Sequence, residues 1–147
     1  MTISPITQSL LPYFFLKGVG PATFRAVLGQ ARNLRDTEAL ERALQSNRRV
    51  AAALKEPSAW HIAIEKVRQQ AKLCVSHDGF ILSPFDDAYP TQLAWSAVDP
   101  VFLFCKGNSA LFSMPTVAIV GSRKPTRVGK VVAERLAALI GNDGYCV

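Results

Sequence analysis

Little in this chain is suited to disulfide or metal chemistry. Of its 147 residues only three are cysteine and two are histidine. Cys74, Cys105 and Cys146 form an odd set at wide intervals, matching neither a disulfide framework nor a CxxC metal pair, and they read as reduced core thiols. His61 sits beside Trp60 on an expected helix and His77 precedes a glycine turn. With no Cys, Asp or Glu at ligand spacing, no metal site is expected. Long apolar runs are also missing. The longest, around Leu10–Leu16 and Val101–Cys105, have the length of a core helix or strand, well short of the roughly 18–20 residues that span a bilayer. No membrane partner is expected. Because no Lys or Arg precedes Lys17, the basic start of a secretory signal is absent, and the expected location is cytoplasmic. At 49% hydrophobic and only 19% charged residues, the chain fits neither disorder nor, with nine glycines and nine prolines, a collagen-like repeat.

Catalytic signatures are equally scarce. There is no GxGxxG, and seven residues separate Gly121 from Gly129-Lys130 where a P-loop has four, with Val131 in place of Ser or Thr. Ser113 and Ser122 lack an identifiable base or oxyanion arrangement. Asp86, Asp87 and Asp99 lie in Pro-rich turns, where aspartate serves local hydrogen bonding. A hydrolase reading therefore has nothing to stand on, and the residues point to no catalytic group and no cofactor. Tyr89, Trp95 and Phe112 could stack bases, but aromatic residues in such runs read more readily as core.

What is present is a basic excess with a particular placement. The formal net charge is +6. Residues 1–75 hold 11 Lys/Arg against 5 Asp/Glu, and residues 76–147 hold 6 of each. In the balanced part Arg123, Lys124, Arg127 and Lys130 still cluster, with no acid before Glu134. Such a cluster favours polyanionic partners through phosphate neutralisation and counterion release.

Periodicity divides the chain. Leu40, Ala43, Leu44, Ala51 and Leu54 in the stretch Leu34–Leu54, then Trp60, Ile64, Val67 and Ala71, recur at helical spacing, which predicts two amphipathic helices parted near Pro57 with Ser58 as N-cap. Near residue 74 the composition changes to closely spaced Gly and Pro around Phe80-Ile81-Leu82 and Val101–Cys105, which read as strands. A helical domain over 1–74 and an α/β domain over 75–147 are expected. Thr116–Val120 is apolar on successive residues, as for a strand buried on both faces of a parallel sheet. Gly121 breaks it, and Val128, Val132, Leu136, Leu139 and Ile140 mark a helix with Thr126 as N-cap and Gly141 as terminator. Gly144–Val147 restarts an extended pattern. This is the opening of a βαβ unit.

Two turns carry possible function. Gly121-Ser122-Arg123-Lys124-Pro125-Thr126 joins a strand end to a helix N-terminus, where unpaired N–H groups and the helix dipole favour an anion. Gly121 allows close approach, Ser122 and Thr126 offer hydroxyls, and Arg123 offers a forked guanidinium. The turn is either a phosphate site or an ordinary βα turn with a solvated basic edge. Lys17-Gly18-Val19-Gly20-Pro21 resembles a helix-hairpin-helix element. Its amides either meet a DNA phosphate, with Lys17 the adjacent cation, or merely pack the domain.

Several segments together resemble the DNA-processing protein A (DprA, or Smf) family. They are Tyr89-Pro90 with Leu93; Asp99-Pro100-Val101-Phe102-Leu103-Phe104-Cys105-Lys106-Gly107; and Val117-Ala118-Ile119-Val120-Gly121-Ser122-Arg123 with Thr126 and Gly129. The likeness is strong over about residues 80–147 and looser over the helical first half, including its Gly-Val-Gly hairpin. It implies a helical, helix-hairpin-helix or SAM-like domain followed by the first part of an extended Rossmann-like parallel sheet. It also implies single-stranded DNA as ligand, a RecA-type recombinase as partner and a non-catalytic role in natural transformation and DNA recombination. The implied phosphate contacts are Gly121, Ser122, Arg123 and Thr126, and Lys124, Arg127 and Lys130 would add attraction. Lys17, Gly18 and Gly20 are the hairpin's candidates. The family domain continues with further strands, so a fragment or truncated product is expected, whose unpaired strand edges and uncovered sheet face would favour homo-oligomers. The competing reading is a Rossmann-type nucleotide-binding domain, or an enzyme acting on a nucleotide, that uses the same turn for a single phosphate.

Overall fold

The computed structural model describes residues 3–30, 36–94 and 100–147; Leu34, Trp95 and Asp99, named above, lie outside them. The chain forms two compact units, Met1–Gly107 and Asn108–Val147.

In the first unit α1 spans Pro5–Phe14 and starts at a sequence-encoded cap: Ser4 Oγ accepts from the Thr7 N–H at 3.2 Å, with Pro5 at the first helical position. Pro12 lies in its last turn, and the helix ends two residues later. The connection to α2 (Pro21–Gln30) turns through Gly18, whose φ of +79° is the left-handed conformation that glycine adopts without strain. Val19 within this turn is buried, and Lys17 and Gly18 are exposed.

The predicted helix over 34–54 is two helices, α3 (Thr37–Ser46) and α4 (Arg48–Leu54). Asn47 parts them. It leaves helical geometry with ψ 130°, and its side-chain oxygen caps the Arg49 N–H at 2.9 Å. The break rotates the apolar face, so Leu40, Leu44 and Val50 are buried and Ala51 is exposed. The helix α5 (Ala59–Ser76) buries Ala63, Val67 and Cys74. Ser58 stands at its N-cap position without a side-chain cap bond.

The expected strands appear as β1 (Gly79–Leu82) and β2 (Leu103–Lys106), with the four-residue helix α6 (Thr91–Ala94) between them. They pair antiparallel, Gly79 opposite Lys106 and Leu82 opposite Leu103, and Ile3 adds a single parallel bridge to Ile81. Gly79 is required by space: a Cβ there would lie 2.9 Å from the Cys105 carbonyl oxygen and 3.2 Å from that of Cys74.

The core of this unit joins the helices to the strand region. Phe14, Phe24 and Phe102 pack edge to face with centroids 5.3–5.7 Å apart, among buried Leu10, Leu11, Leu40, Leu44, Ile81 and Val101. The composition change near residue 74 thus falls inside this unit, at the end of α5. A polar lock fastens α1 to the loop after β1. Asp86 Oδ2 accepts from Thr7 Oγ1 at 2.5 Å and from the Ser83 N–H at 2.6 Å, and the Thr7 and Ser83 hydroxyls are 2.7 Å apart. Tyr89 is buried and its hydroxyl donates to the Pro100 carbonyl, so it serves the core.

The second unit holds a 3₁₀ turn (Ser109–Ser113) and α7 (Arg127–Asn142). The predicted parallel strand over 116–120 is reduced here to one bridge, Thr116 with Cys146, closed by Val117 N–H to Cys146 O and Cys146 N–H to Pro115 O, each 2.9 Å. Its sense is parallel with a helix between, as in a βαβ connection. Among the described residues nothing else pairs with residues 117–122, and the only sheet is the antiparallel β1–β2 pair. Val120 is correspondingly 89% exposed. The helix passes the predicted stop at Gly141 and ends at Asn142, because the residue that turns left-handed is Gly144, at φ +84°.

Candidate functional site

The N-terminus of α7 is built by its own sequence. Thr126 takes the extended cap conformation and its Oγ1 accepts the Gly129 N–H at 3.1 Å. A Cβ on Gly129 would sit 3.4 Å from that oxygen, so glycine gives the cap room. In the preceding turn the Lys124 N–H donates to Ser122 Oγ at 3.3 Å. Both hydroxyls therefore accept from the backbone and keep their protons for a group outside the chain. A Cβ on Gly121 would meet nothing within 4 Å. The first amides of α7 after the cap have no intrahelical acceptor, and no acid occupies its first turn.

Around this turn lies a groove of about 780 Å³. Gly121, Ser122, Lys124, Thr126 and Lys130 line it, five of the seven residues expected at this turn and the cluster after it. Arg123 and Arg127 are exposed and do not line it. Among the described residues none of Arg123, Lys124, Arg127 and Lys130 has an acidic partner within 4.0 Å, so their charge faces solvent unopposed. Lys17, Gly18 and Gly20 belong to the first unit and are described with its α1–α2 turn.

Sequence reasoning missed the other walls, Ile119, Val120, Ala133 and Glu134 among them. The sequence pattern places the first two in a buried strand. Glu134 was readable as the acid one helical turn beyond Lys130, a spacing that puts both on one face of α7. The groove thus offers amides, hydroxyls and ammonium groups at the start of α7, an apolar wall, and a carboxylate further along. Among the described residues no group of three or more potential ligands could hold a metal ion, and no helix is long and apolar enough to cross a membrane.

Elsewhere burial sets the chemistry of the thiols. Desolvation pushes Cys74 above its ordinary 9.0, and desolvation followed by the nearby Cys74 does the same to Cys105, so both are held as neutral thiols.

Residues 80–147 match the family model described as DNA recombination-mediator protein A. The DNA processing protein DprA of Streptococcus pneumoniae (strain ATCC BAA-255 / R6) is 39% identical over 61 residues, which cover 42% of this chain and 22% of that protein. The chain thus matches about a fifth of the length of this curated relative. No solved structure matches it significantly. The match takes in β1 from Phe80 on, β2 and the whole Gly121–Lys130 turn, and over this stretch the chain is similar to the DNA recombination-mediator protein A family.

Proposed function

We propose that the chain binds single-stranded DNA at the start of α7 and acts in DNA recombination by presenting that strand to a RecA-type recombinase in the cytoplasm. One observation carries the reading: Ser122, Lys124, Thr126 and Lys130 converge on one groove at a helix N-terminus whose first turn has no acid, and among the described residues neither lysine has a carboxylate within 4.0 Å. A backbone phosphate takes donors from the first amides of α7 and the two hydroxyls. Lys124 and Lys130 supply charge-assisted contacts. Arg123 and Arg127, outside the groove, extend the positive field to flanking phosphates. The role is binding rather than catalysis. Among the described residues no histidine lines the groove to serve Ser122 as a base.

Fluorescence anisotropy of a labelled single strand, against duplex competitor and over a salt series, tests this. Expected is salt-dependent binding that prefers the single strand, with Lys130→Ala and Arg123→Ala each lowering the log–log salt slope by about 0.7. Equal affinity and slope in both variants would refute the assignment. The groove's volume also lies within the range of small-ligand sites, which favours a second reading, one mononucleotide held by a single phosphate. Calorimetry separates the two. Saturable micromolar binding of a mononucleotide that oligonucleotide does not displace supports the second.

A further inference from the structure

Phosphate contacts carry no base information, yet the groove has a feature that phosphate does not need. Glu134 is a carboxylate lining an otherwise cationic groove. It lies on α7 eight residues beyond the Thr126 cap, or roughly 12 Å along the axis at the rise of an α-helix. That is comparable with the reach of one nucleotide from its phosphate to the polar edge of its base. The same groove is lined by Ile119, Val120 and Ala133, and Val120 is 89% exposed. They form an apolar wall for the flat face of a sugar or base. A second phosphate at Glu134 would meet like charge.

We propose that Glu134 reads the base: it accepts a hydrogen bond from the exocyclic amino group of a cytosine whose phosphate sits at the start of α7. Thymine, of the same size, presents its O4 acceptor where cytosine presents N4–H₂, and a carboxylate repels it. The inference rests on the single-stranded DNA reading of this groove and adds a preference to it. Glu134 is exposed on a helix, and glutamine and alanine are both good helix formers, so its variants leave the fold intact.

The test is anisotropy at neutral pH with the full chain and labelled oligo-dC and oligo-dT of equal length. Expected for the wild type is oligo-dC tighter by about fivefold, the low end for a specific base contact in an exposed groove. In Glu134→Gln, whose amide can offer either a donor or an acceptor, and in Glu134→Ala, which offers neither, the ratio falls to about one. Affinity for oligo-dT rises as the repulsion goes. Equal affinity in the wild type, or a preference that survives both substitutions, overturns the inference. The two layers separate cleanly. Equal binding that Lys130→Ala weakens leaves the groove's DNA reading standing and removes only the base preference, whereas no salt-dependent binding of either oligonucleotide removes both.

Discussion

Replacing Asp86 by alanine tests whether the first unit is fastened where the structure places its polar lock. One carboxylate oxygen serves Thr7 Oγ1 at 2.5 Å and the Ser83 N–H at 2.6 Å, and Thr7 and Ser83 are 0% and 1% exposed. On truncation the Thr7 hydroxyl can redirect its proton to Ser83 Oγ, already 2.7 Å away. The Ser83 N–H has no such alternative and is left unsatisfied, at about 1–3 kcal/mol, and the lost charge-assisted hydroxyl bond adds about 1 kcal/mol. The expected destabilisation is about 2–4 kcal/mol, a large fraction of the roughly 5–15 kcal/mol that holds a domain of this size. Asp86→Asn keeps an acceptor oxygen and should lose about half as much. Urea unfolding followed by circular dichroism reads both, at constant slope. A shift below about 0.5 kcal/mol for Asp86→Ala would show that water replaces the carboxylate and that the lock carries no stability.

Gly79→Ala should destabilise by about 1–3 kcal/mol in the same assay, because its Cβ would press on the carbonyls of Cys105 and Cys74; an unchanged midpoint would mean the strand gives way without cost. Thr23→Val should be neutral or raise stability by up to about 1 kcal/mol, since the Thr23 hydroxyl is buried without a hydrogen-bond partner among the described residues. Thr126→Ala, removing the cap of α7, should cost about 1 kcal/mol of helix stability and weaken oligonucleotide binding; a loss of neither would sink the cap's role. Cys74, Cys105 and Tyr13 have acidities raised chiefly by burial, above 9.0 for the thiols and 10.0 for the phenol. The unfolded chain then releases these protons first, so the stability they contribute is complete below about pH 9 and falls as pH rises through their folded values, which urea midpoints between pH 7 and 11 should trace.

How much of this was legible in the sequence depended on how local the cause was. The Thr126 cap and the start of α7 could be read because a threonine with a glycine three residues on is a short-range signal. The break at Asn47 was hidden, since Leu40, Leu44, Ala51 and Leu54 remain at helical spacings across it and only the side-chain cap shows that the helix restarts. The strand segments 80–82 and 101–105 were visible as apolar runs, but their antiparallel pairing depends on partners far apart in the chain, which periodicity does not encode. Thr116–Val120 has a buried strand's composition, yet strand geometry also needs edges to pair with, and among the described residues only Cys146 supplies one. For the groove, the cations and hydroxyls were legible as a cluster. Glu134 was legible by its spacing from Lys130, but the apolar wall depends on the turn and α7 lying side by side.

The edge-to-face packing of Phe14 and Phe24 on Phe102 bears on how the chain is made. During synthesis Phe24 and Phe14 emerge 78 and 88 residues before Phe102. At ordinary elongation rates of about 5–20 residues per second, they wait roughly 4–18 s. Throughout that interval the two rings pack on each other and on α3, with the side that Phe102 will cover left open. The first unit is therefore most vulnerable to aggregation while nascent, and slow codons between residues 30 and 100 would lengthen the exposure without altering the finished protein.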